Sequence, residues 1–212
     1  MLYIIAGIVS LIVVLWAGYT YFYETGLGQP SYSVIEEHDS VEFREYEPFV
    51  IASTLPATDG RPGLNSGFRT LAGYIFGGNQ PNESIEMTAP VLQQNEPGES
   101  LPMTAPVLQS DDGEGMRMAF VMPAGRTLEN LPTPNDDSVS ITEVDWGQVA
   151  AIHFSGWGND ERFRDAEQEI RAVLAAQGRR ASGPALYAQY NSPYAFPLMR
   201  RNEVLIPLSP AE

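Results

Sequence analysis

The feature that most limits how this chain folds is an apolar run at its N-terminus. No charged residue occurs from Leu2 to Tyr23, and the run is long enough to cross a bilayer as one helix. Aromatic residues gather at its end, as they do where a membrane-spanning helix meets the lipid headgroups. The sequence therefore predicts a transmembrane anchor and the start of a tether over residues 1–25, and one domain over residues 31–208.

A cleaved signal peptide is the alternative explanation of this run. The run lacks the basic residues that begin a signal peptide, and it has no clear small-x-small cleavage site, so an uncleaved anchor is favoured. One residue precedes the span and a large acidic domain follows it. This arrangement favours a single-pass membrane protein whose domain lies outside the cytoplasm.

The composition of the whole chain excludes several partners. The formal net charge is −15, and all 12 basic residues are arginines. Phosphate binding requires a basic surface, so nucleic acid is not expected as a partner. The sequence contains no cysteine, which excludes disulfides and thiolate metal sites. Its two histidines, His38 and His153, are too few for a three-histidine metal centre, and the identity of any metal stays unknown.

A short amphipathic helix and a strand are predicted between residues 66 and 90. Apolar residues recur at the spacing of one helix face, namely Phe68, Leu71, Ala72 and Ile75. Asn65 or Ser66 is suited to cap the start of this helix, and Gly77-Gly78-Asn79 tolerates the left-handed backbone that ends one. After a polar turn, the alternation of apolar and polar residues from Ile85 to Ala89 predicts a strand.

Further strands are predicted on both sides of this unit. Val41–Tyr46 and Phe49–Leu55 alternate as strands do, and the short link between them predicts a hairpin. The heptapeptide M-T-A-P-V-L-Q occurs at Met87–Gln93 and again at Met103–Gln109. It is either a duplicated binding loop or a pair of neighbouring strands with the same buried face. The second interpretation is favoured because such strands pack well without a ligand.

The second part of the chain repeats the order of elements of the first part. One constant offset relates the alternating residues Val139, Ile141, Glu143 and Asp145 to Val41, Phe43, Glu45 and Glu47. A second helix follows, with Asn159 or Asp160 at its start and Gly178 at its end. Antiparallel strands with two helices indicate an α+β fold. We predict a distorted antiparallel β-barrel of two similar halves, each with one helix, in which Phe68 and Phe163 occupy equivalent core positions.

Several motifs in a fixed order resemble the SOUL heme-binding protein family. They extend from about Ser31 to Leu208 and read V-E-F-R-E-Y, F-R-T-L-A-G-Y-I-F-G-G-N, I-E-M-T-A-P-V, F-V-M-P, L-P-T-P, F-S-G and R-R-N-E-V. The resemblance implies a distorted β-barrel built from two similar halves. It also implies that a tetrapyrrole such as heme is held in an apolar groove beside the first helix of the domain.

Three residues of that helix are candidates for binding the cofactor. Arg69, Gly73 and Phe76 lie at i, i+4 and i+7, beside the core stripe. Gly73 leaves room for a flat ring, Phe76 offers a stacking surface, and Arg69 offers a planar fork to a propionate. The alternative is that Arg69 is solvated, that Gly73 eases helix packing and that Phe76 closes the edge of the domain.

The sequence departs from the resemblance at the axial ligand. In family members for which a histidine ligand has been proposed, it lies between an arginine and a tyrosine, and here that triplet is Arg44-Glu45-Tyr46. A glutamate is a poor heme ligand. His38 and His153 are isolated, and a lone histidine is more often a surface or core residue than a ligand. Binding by apolar contact alone, which the resemblance allows, stays open.

The R-R-N-E-V motif also has two interpretations. Arg200 and Arg201 are suited to bind an anion, or an arginine pairs with Glu203 and anchors the final strand. The structural interpretation is favoured.

These observations favour a binding module over an enzyme. The sequence contains no H-E-x-x-H, no G-x-S-x-G and no Walker loop. The predicted function is that of a membrane-anchored module that binds heme or a related tetrapyrrole. The alternatives are a module for another apolar small molecule and, less favoured, a hydrolase that uses a glutamate and a tyrosine in the groove. A buried glutamate facing a tyrosine would point to the hydrolase.

Overall fold

The protein consists of an N-terminal helix and a domain built on one large sheet. The computed structural model describes residues 1–24, 26–58, 60–80, 98–111, 113 and 115–210. Its elements in chain order are α1 (Leu2–Glu24), β1 (Tyr32–His38), β2 (Val41–Tyr46), β3 (Phe49–Thr54), α2 (Gly60–Ile75), β4 (Asn79–Gln80), β5 (Val107–Asp111), β6 (Met116–Val121), β7 (Thr133–Pro134), β8 (Ser140–Val144), β9 (Gln148–Ser155), α3 (Asp160–Gln177), β10 (Leu186–Gln189), a 3₁₀ turn η1 (Pro197–Met199) and β11 (Arg201–Pro207). The predicted strand from Ile85 to Ala89 and the first copy of M-T-A-P-V-L-Q lie outside the described residues.

Nine strands form one antiparallel sheet. Their order is β1-β2-β9-β11-β10-β5-β6-β3-β8, and β4 pairs with β7 separately. The sheet is curled into a half-barrel, because β1 and β8, its two outermost strands, are not paired with each other in the described part of the chain. The edge strand β1 carries Glu36 and Glu37 in exposed positions, and charged edges of this kind resist further pairing. The predicted α+β class is confirmed, and the predicted barrel is a half-barrel.

The sheet separates three clusters of buried apolar residues. One lies between α3 and the neighbouring strands β2, β9 and β11, and a second lies between α2 and the strands β3 and β6. The third is formed by side chains on the other side of the sheet, where both parts of the chain contribute, namely Tyr46, Ala105, Leu108, Ala119, Val121, Val149, Ala151, Ala188, Tyr190 and Leu205. The two helices therefore cover one face of the sheet, and the other face packs against itself.

Helix α3 has the ends that its sequence predicts. The Asn159 side chain accepts a hydrogen bond from the Arg162 backbone N–H at 2.9 Å, which caps the first turn. Gly178 adopts a φ of 68° and ends the helix in the left-handed conformation. The buried stripe of α3 contains Phe163, Ala166, Ile170 and Leu174, so the prediction for this helix is confirmed.

Helix α2 begins earlier than its sequence predicts. It starts at Gly60, and neither Asn65 nor Ser66 caps it. Pro62 fits the first turn, where a missing N–H costs nothing. Gly63 packs so closely on the preceding loop that a Cβ at this position would lie 1.7 Å from the carbonyl oxygen of Thr58. Glycine disfavours a helix in isolation, but at position 63 it allows this close contact.

The predicted core stripe of α2 is only partly correct. Leu71 and Ile75 are buried, and Tyr74 joins them. Phe68 is 40% exposed, although its ring contacts Phe120 edge-on at 5.3 Å, whereas Phe163 of α3 is only 5% exposed. The two phenylalanines are therefore not equally buried, because the buried face of α2 is rotated towards Tyr74.

The predicted hairpin of β2 with β3 is wrong. β2 pairs with β1 through a turn at Asp39, and on its other edge it pairs with β9. β3 pairs with β6 and β8. The alternating pattern specifies which residues face the core, but it does not specify which strand lies alongside. At Glu47-Pro48 the chain crosses to the other side of the sheet, and Tyr46 N–H donates to the carbonyl of Gly147 there at 2.9 Å.

We expect the two phenylalanines to differ in their contribution to stability. Phe163→Ala should lower the free energy of unfolding by about 3 to 5 kcal/mol, because it removes a buried ring and leaves a cavity. Phe68→Ala should cost about 1 to 2 kcal/mol, since much of that ring already contacts solvent. Denaturant melts of the full chain in detergent measure both. Equal losses would show that α2 and α3 bury their phenylalanines to the same extent.

Candidate functional site

A buried ion pair joins the second strand of the domain to its last strand. The Arg44 guanidinium donates to both carboxylate oxygens of Glu203, Nη1 to Oε2 and Nη2 to Oε1, each at 3.0 Å. Arg44 is 2% exposed and Glu203 is fully buried. Removing two charges from water is costly, and this parallel two-point geometry is the one that best compensates for the loss. Arg44 also contacts the carboxylate of Glu42 at 2.8 Å.

Further donors complete the shell of Glu203. Arg201 donates to Oε1 through Nε at 2.9 Å and Nη2 at 2.7 Å. The Tyr190 hydroxyl donates to Oε2 at 2.6 Å. The Arg44 guanidinium lies over the Tyr32 ring, 4.4 Å from its centroid, and donates to the Tyr46 hydroxyl at 3.3 Å. Every oxygen of the carboxylate is thus occupied by at least two donors.

The titration of this cluster follows from its contacts. Burial by itself would raise the pKa of Glu203, but the hydrogen bonds and positive charges of Arg44 and Arg201 outweigh it and hold the pKa below its ordinary value. Burial and the neighbouring Glu203 carboxylate raise the pKa of Tyr190 well above its ordinary value. Burial raises the pKa of Tyr46 to about 12. At neutral pH the cluster therefore holds a carboxylate and two protonated tyrosines.

Sequence reasoning identified one part of this cluster and missed the rest. The pairing of an arginine with Glu203 in R-R-N-E-V is confirmed for Arg201. The other arginine, Arg200, lies over the Trp157 ring, 3.9 Å from its centroid. Arg44 was not predicted as the main partner. The available signal was its position in V-E-F-R-E-Y, where alternation places Arg44 on the same side of the strand as Tyr46.

The three predicted cofactor residues share one solvent-facing side of α2. Arg69 is exposed, and its Nε donates to the carbonyl of Asn65 one turn earlier at 3.2 Å. A Cβ built on Gly73 would meet no described atom within 4 Å, so the notch at this position is open. Phe76, just after the helix, is 65% exposed. Seven residues separate Arg69 from Phe76, which is roughly 10 Å along a helix.

The end of α2 is held by a buried polar network. The Asn79 amide donates to the carbonyls of Tyr74 at 2.7 Å and Glu99 at 2.8 Å, and its oxygen accepts from the Glu99 N–H at 2.8 Å. Phe76 and Ser100 form a β-bridge beside it. The Tyr74 hydroxyl donates to the carbonyl of Pro132 at 2.9 Å. The backbone that carries Phe76 is therefore fixed from several sides.

The residues considered for axial ligation are dispersed. Glu45 points away from its buried neighbour Arg44 and is exposed, where it lines a cleft of about 320 Å³ with Tyr32 and Tyr46. His38 and His153 are both exposed as well. Within the described ranges, no three His, Cys, Asp or Glu side chains are grouped to hold a metal ion.

A further cleft of about 610 Å³ lies at the end of α3, away from the predicted residues. Its walls come from β1, from the end of α3 and from the C-terminal segment, and they include Ile35, Gln177, Arg179, Arg180, Leu208 and Pro210. Arg179 is committed to other contacts, because it pairs with Glu36 and lies 4.0 Å over the centroid of the Phe43 ring. Neither cleft contains Arg69, Gly73 or Phe76.

Comparison with known protein families decides the family of this chain. The family model described as SOUL heme-binding protein matches residues 27–207. The chain belongs to the SOUL heme-binding protein family. Heme-binding protein 2 of Mus musculus is 28% identical over 187 residues, which cover 85% of this chain and 86% of that protein. The resemblance inferred from the sequence motifs is thereby confirmed, and heme becomes the cofactor to test.

Solved structures share the fold of this SOUL domain. A hydrolase from Listeria innocua has a TM-score of 0.52 and 11% identity, over 80% of this chain and 92% of that one. An uncharacterized conserved protein from Listeria innocua has a TM-score of 0.53 and 12% identity over the same shares. At such identities the likeness concerns the fold alone.

We expect the buried ion pair to contribute strongly to the stability of the domain. Glu203→Gln leaves Arg44 buried without a full countercharge, so the free energy of unfolding at pH 7 should fall by about 3 to 5 kcal/mol. The matched control is Glu45→Gln, an exposed glutamate near the same ion pair, which should change the free energy by less than about 0.5 kcal/mol. Denaturant melts of the full chain in detergent compare the two variants.

The same variants test the direction of the pKa shift. The folded-state pKa of Glu203 lies below the unfolded value of about 4.3. The contribution of Glu203 to the free energy of unfolding is therefore complete above that pH and is lost as the pH falls through the folded-state pKa. The difference between the unmodified chain and Glu203→Gln should therefore shrink in acid. A difference that grows as the pH is lowered would mean that the folded-state pKa is raised.

Proposed function

We propose that this protein is a membrane-anchored SOUL module that binds heme or a related tetrapyrrole on the outer face of α2. The observation that carries the proposal is the match of the SOUL heme-binding protein family over residues 27–207. The murine relative is named for heme binding as well. We assign the contacts to Arg69, Gly73 and Phe76, the residues of this helix that present a charge, a notch and an exposed ring to solvent.

The chemistry of these three side chains fits a flat ring that carries carboxylates. The Phe76 ring offers an apolar face, and stacking on it covers surface that is now in water. Gly73 lets the ring approach the helix without a clash with a side chain. The terminal nitrogens of Arg69 have no partner among the described residues and are suited to a propionate. The protein thus supplies apolar contact at one end of the face and charge at the other.

We propose that no histidine of this chain holds the iron. Both histidines are exposed at a distance in sequence from α2, and neither belongs to a group of metal-binding side chains in the described part of the chain. Heme itself would supply the redox-active iron. The residues of α2 would supply orientation through the propionate and shielding through Phe76. Affinity then depends on Arg69 and Phe76 and not on His38 or His153.

We further propose that α1 anchors the domain in a membrane, with the domain outside the cytoplasm. Within α1, Tyr3–Phe22 has a mean hydropathy of 2.0 and is long enough to span a bilayer, and little of it is covered by the domain. A signal sequence near the N-terminus also satisfies this criterion of length and hydropathy and is the alternative. Three residues in the second half of α1, namely Trp16, Thr20 and Glu24, form hydrogen bonds with the domain. These contacts favour a helix that is retained in the mature protein.

We also propose that the two halves of the domain are structural repeats. The strand order has an internal symmetry. If β2 is exchanged with β8, β3 with β9, β5 with β10 and β6 with β11, the order of these eight strands is reversed and the same strands remain neighbours. This symmetry supports the proposal. In each half the first strand pairs with the second strand of the other half, β2 with β9 and β8 with β3. The Phe68 and Phe163 positions are matched in sequence but differ in burial.

Two other functions remain alternatives to tetrapyrrole binding. Another apolar ligand would use the same exposed face of α2. A hydrolase is suggested by Glu203 and Tyr190, the buried glutamate and tyrosine that this alternative requires. The Glu203 carboxylate is fully engaged and has a lowered pKa, whereas a general base works best with a pKa near the operating pH. We therefore propose a structural role for this pair and a binding function for the protein.

Heme binding can be tested by comparing the dissociation constants for hemin of two arginine variants, one on α2 and one in a matched position on α3. Arg69→Ala should raise the dissociation constant for hemin about 10- to 100-fold, because a charge-assisted hydrogen bond contributes about 1.5 to 3 kcal/mol. Phe76→Ala should weaken binding as well. The control is Arg164→Ala on α3, because Arg164 is also exposed and its Nε donates one turn back to Asp160, as Arg69 donates to Asn65. A titration of the full chain in detergent, followed at the porphyrin absorbance band, measures each constant.

The histidine variants separate the two modes of binding. His38→Ala and His153→Ala should leave the dissociation constant unchanged. If one of them alone abolishes binding, axial ligation dominates and the α2 face is secondary. If the unmodified chain gives no saturable absorbance change, heme is not the ligand, and the apolar-ligand alternative takes its place.

A further inference from the structure

A cluster of exposed apolar side chains lies where α1 meets the domain. It consists of Trp157 after β9 and of Tyr194, Leu198 and Met199 before β11, and we call these four residues the apolar rim. Tyr194 is 80% exposed, Leu198 76% and Trp157 60%. η1, which carries Leu198 and Met199, lies against β9. Exposed large apolar side chains in one place mark an interaction surface.

The loop that carries the rim is attached to one face of α1. Trp16, Thr20 and Glu24 are spaced four residues apart and all face residues 191–196. The Trp16 indole N–H donates to the carbonyl of Tyr194 at 2.7 Å, and its ring meets Phe196 edge-on at 5.2 Å. Thr20 Oγ1 accepts from the Phe196 N–H at 2.8 Å.

Glu24 holds the beginning of the same loop. Its carboxylate accepts from the Ser192 hydroxyl at 2.6 Å and from the Asn191 amide at 2.9 Å. These contacts fix the loop along the last two turns of α1. The rim therefore cannot move away from the helix without breaking these partly buried polar contacts.

The rim itself is held in shape by an arginine. The Arg200 guanidinium lies under the Trp157 ring and donates to the carbonyls of Pro193 at 2.6 Å and Ala195 at 3.1 Å. Its charge is thus directed towards the protein backbone, while Tyr194 and Leu198 point into solvent. The apolar side chains are therefore exposed on a segment that Arg200 holds in place.

The position of Trp16 determines how deep this loop lies. The apolar span ends at Phe22, and Trp16 is six residues inside that end. At 1.5 Å per residue, the loop contacts α1 about 9 Å below the end of the span. If α1 crosses a bilayer, a loop touching Trp16 lies in the zone between headgroups and acyl chains, where tryptophan and tyrosine are favoured.

The charge pattern agrees with such a location. The chain carries a net charge of −15, yet residues 191–200 contain no acidic residue and a single arginine. The absence of carboxylates together with exposed aromatic and aliphatic side chains agrees with a segment at the membrane interface.

We propose that the apolar rim inserts into the surface of the lipid bilayer and forms a second membrane contact of the domain. This inference rests on the proposed anchor, since the depth of the rim is set by α1. Together the helix and the rim define two points of attachment, so the domain has one orientation relative to the membrane. The alternative occupant of such a surface, a second copy of this chain, is tested below.

Depth-dependent fluorescence quenching tests the proposal. The chain contains no cysteine, so single-cysteine variants can be labelled at one site each. The full chain is labelled at Leu198→Cys with an environment-sensitive fluorophore and reconstituted into phosphatidylcholine vesicles that contain lipids with a nitroxide at a shallow or a deep acyl position. Ser209→Cys is the domain control, because Ser209 is exposed and follows β11, which runs roughly 20 Å away from the rim. Val9→Cys, in the middle of α1, is the anchor control.

The label at Leu198 should be quenched several-fold more than the label at Ser209, and more by the shallow nitroxide than by the deep one. The label at Val9 should be quenched most by the deep nitroxide.

If the label at Val9 is quenched and the label at Leu198 behaves like that at Ser209, the anchor is supported and the rim proposal is wrong. If Val9 is not quenched, the anchor itself is wrong. If the Leu198 label is shielded from water, is not quenched by lipid and responds to protein density in the vesicle, a second copy covers the rim and the proposal is overturned.

Discussion

The buried ion pair between Arg44 and Glu203 is the interaction on which the rest of the structure depends. Arg44 belongs to the second strand of the domain and Glu203 to the last, and β9 lies between them. The pair thus spans two strand spacings, about 10 Å, and ties the beginning of the domain to its end. Two buried charges are tolerated because Arg201 and Tyr190 satisfy the remaining lone pairs of the carboxylate. Loss of Glu203 would leave the buried Arg44 with only the partly exposed Glu42 as a countercharge, and loss of Arg44 would leave Glu203 with Arg201 alone.

This arrangement engages several arginines in structural contacts. Arg44 and Arg201 are used inside the half-barrel, and Arg179 and Arg200 are stacked on rings at its surface. Arg69 differs from them, because its guanidinium makes only a local contact with its own helix among the described residues. The half-barrel supports α2 from one side through Leu71, Tyr74 and Ile75, and the opposite side of the helix is exposed, where we propose that the ligand binds. In this proposal, recognition rests on a rigid element with an exposed face.

The sequence predicts local features of this fold well and its long-range pairing poorly. Asn159 and Gly178 act within one turn of backbone, so the ends of α3 could be read from residue type alone. The partner of β2 could not, because alternation defines a face and not a neighbour. Phe68 was placed in the core by its spacing, but α2 turns its Tyr74 side towards the sheet and leaves Phe68 partly exposed, and spacing alone does not specify this rotation. Arg44 was overlooked because its partner is remote in sequence. The three α2 candidates share one exposed face, as their spacing predicts, while their role towards a ligand depends on chemistry that only binding can reveal.

The claim that the outer face of α2 binds the tetrapyrrole is tested most directly by hydrogen–deuterium exchange of the full chain in detergent, with and without hemin. We expect hemin to slow exchange in peptides covering Gly60–Phe76, while peptides covering the end of α3 and residues 208–210 exchange at an unchanged rate. Protection at the cleft formed by Arg179, Arg180 and Leu208, with α2 unaffected, would contradict this claim and place the binding site at the end of α3.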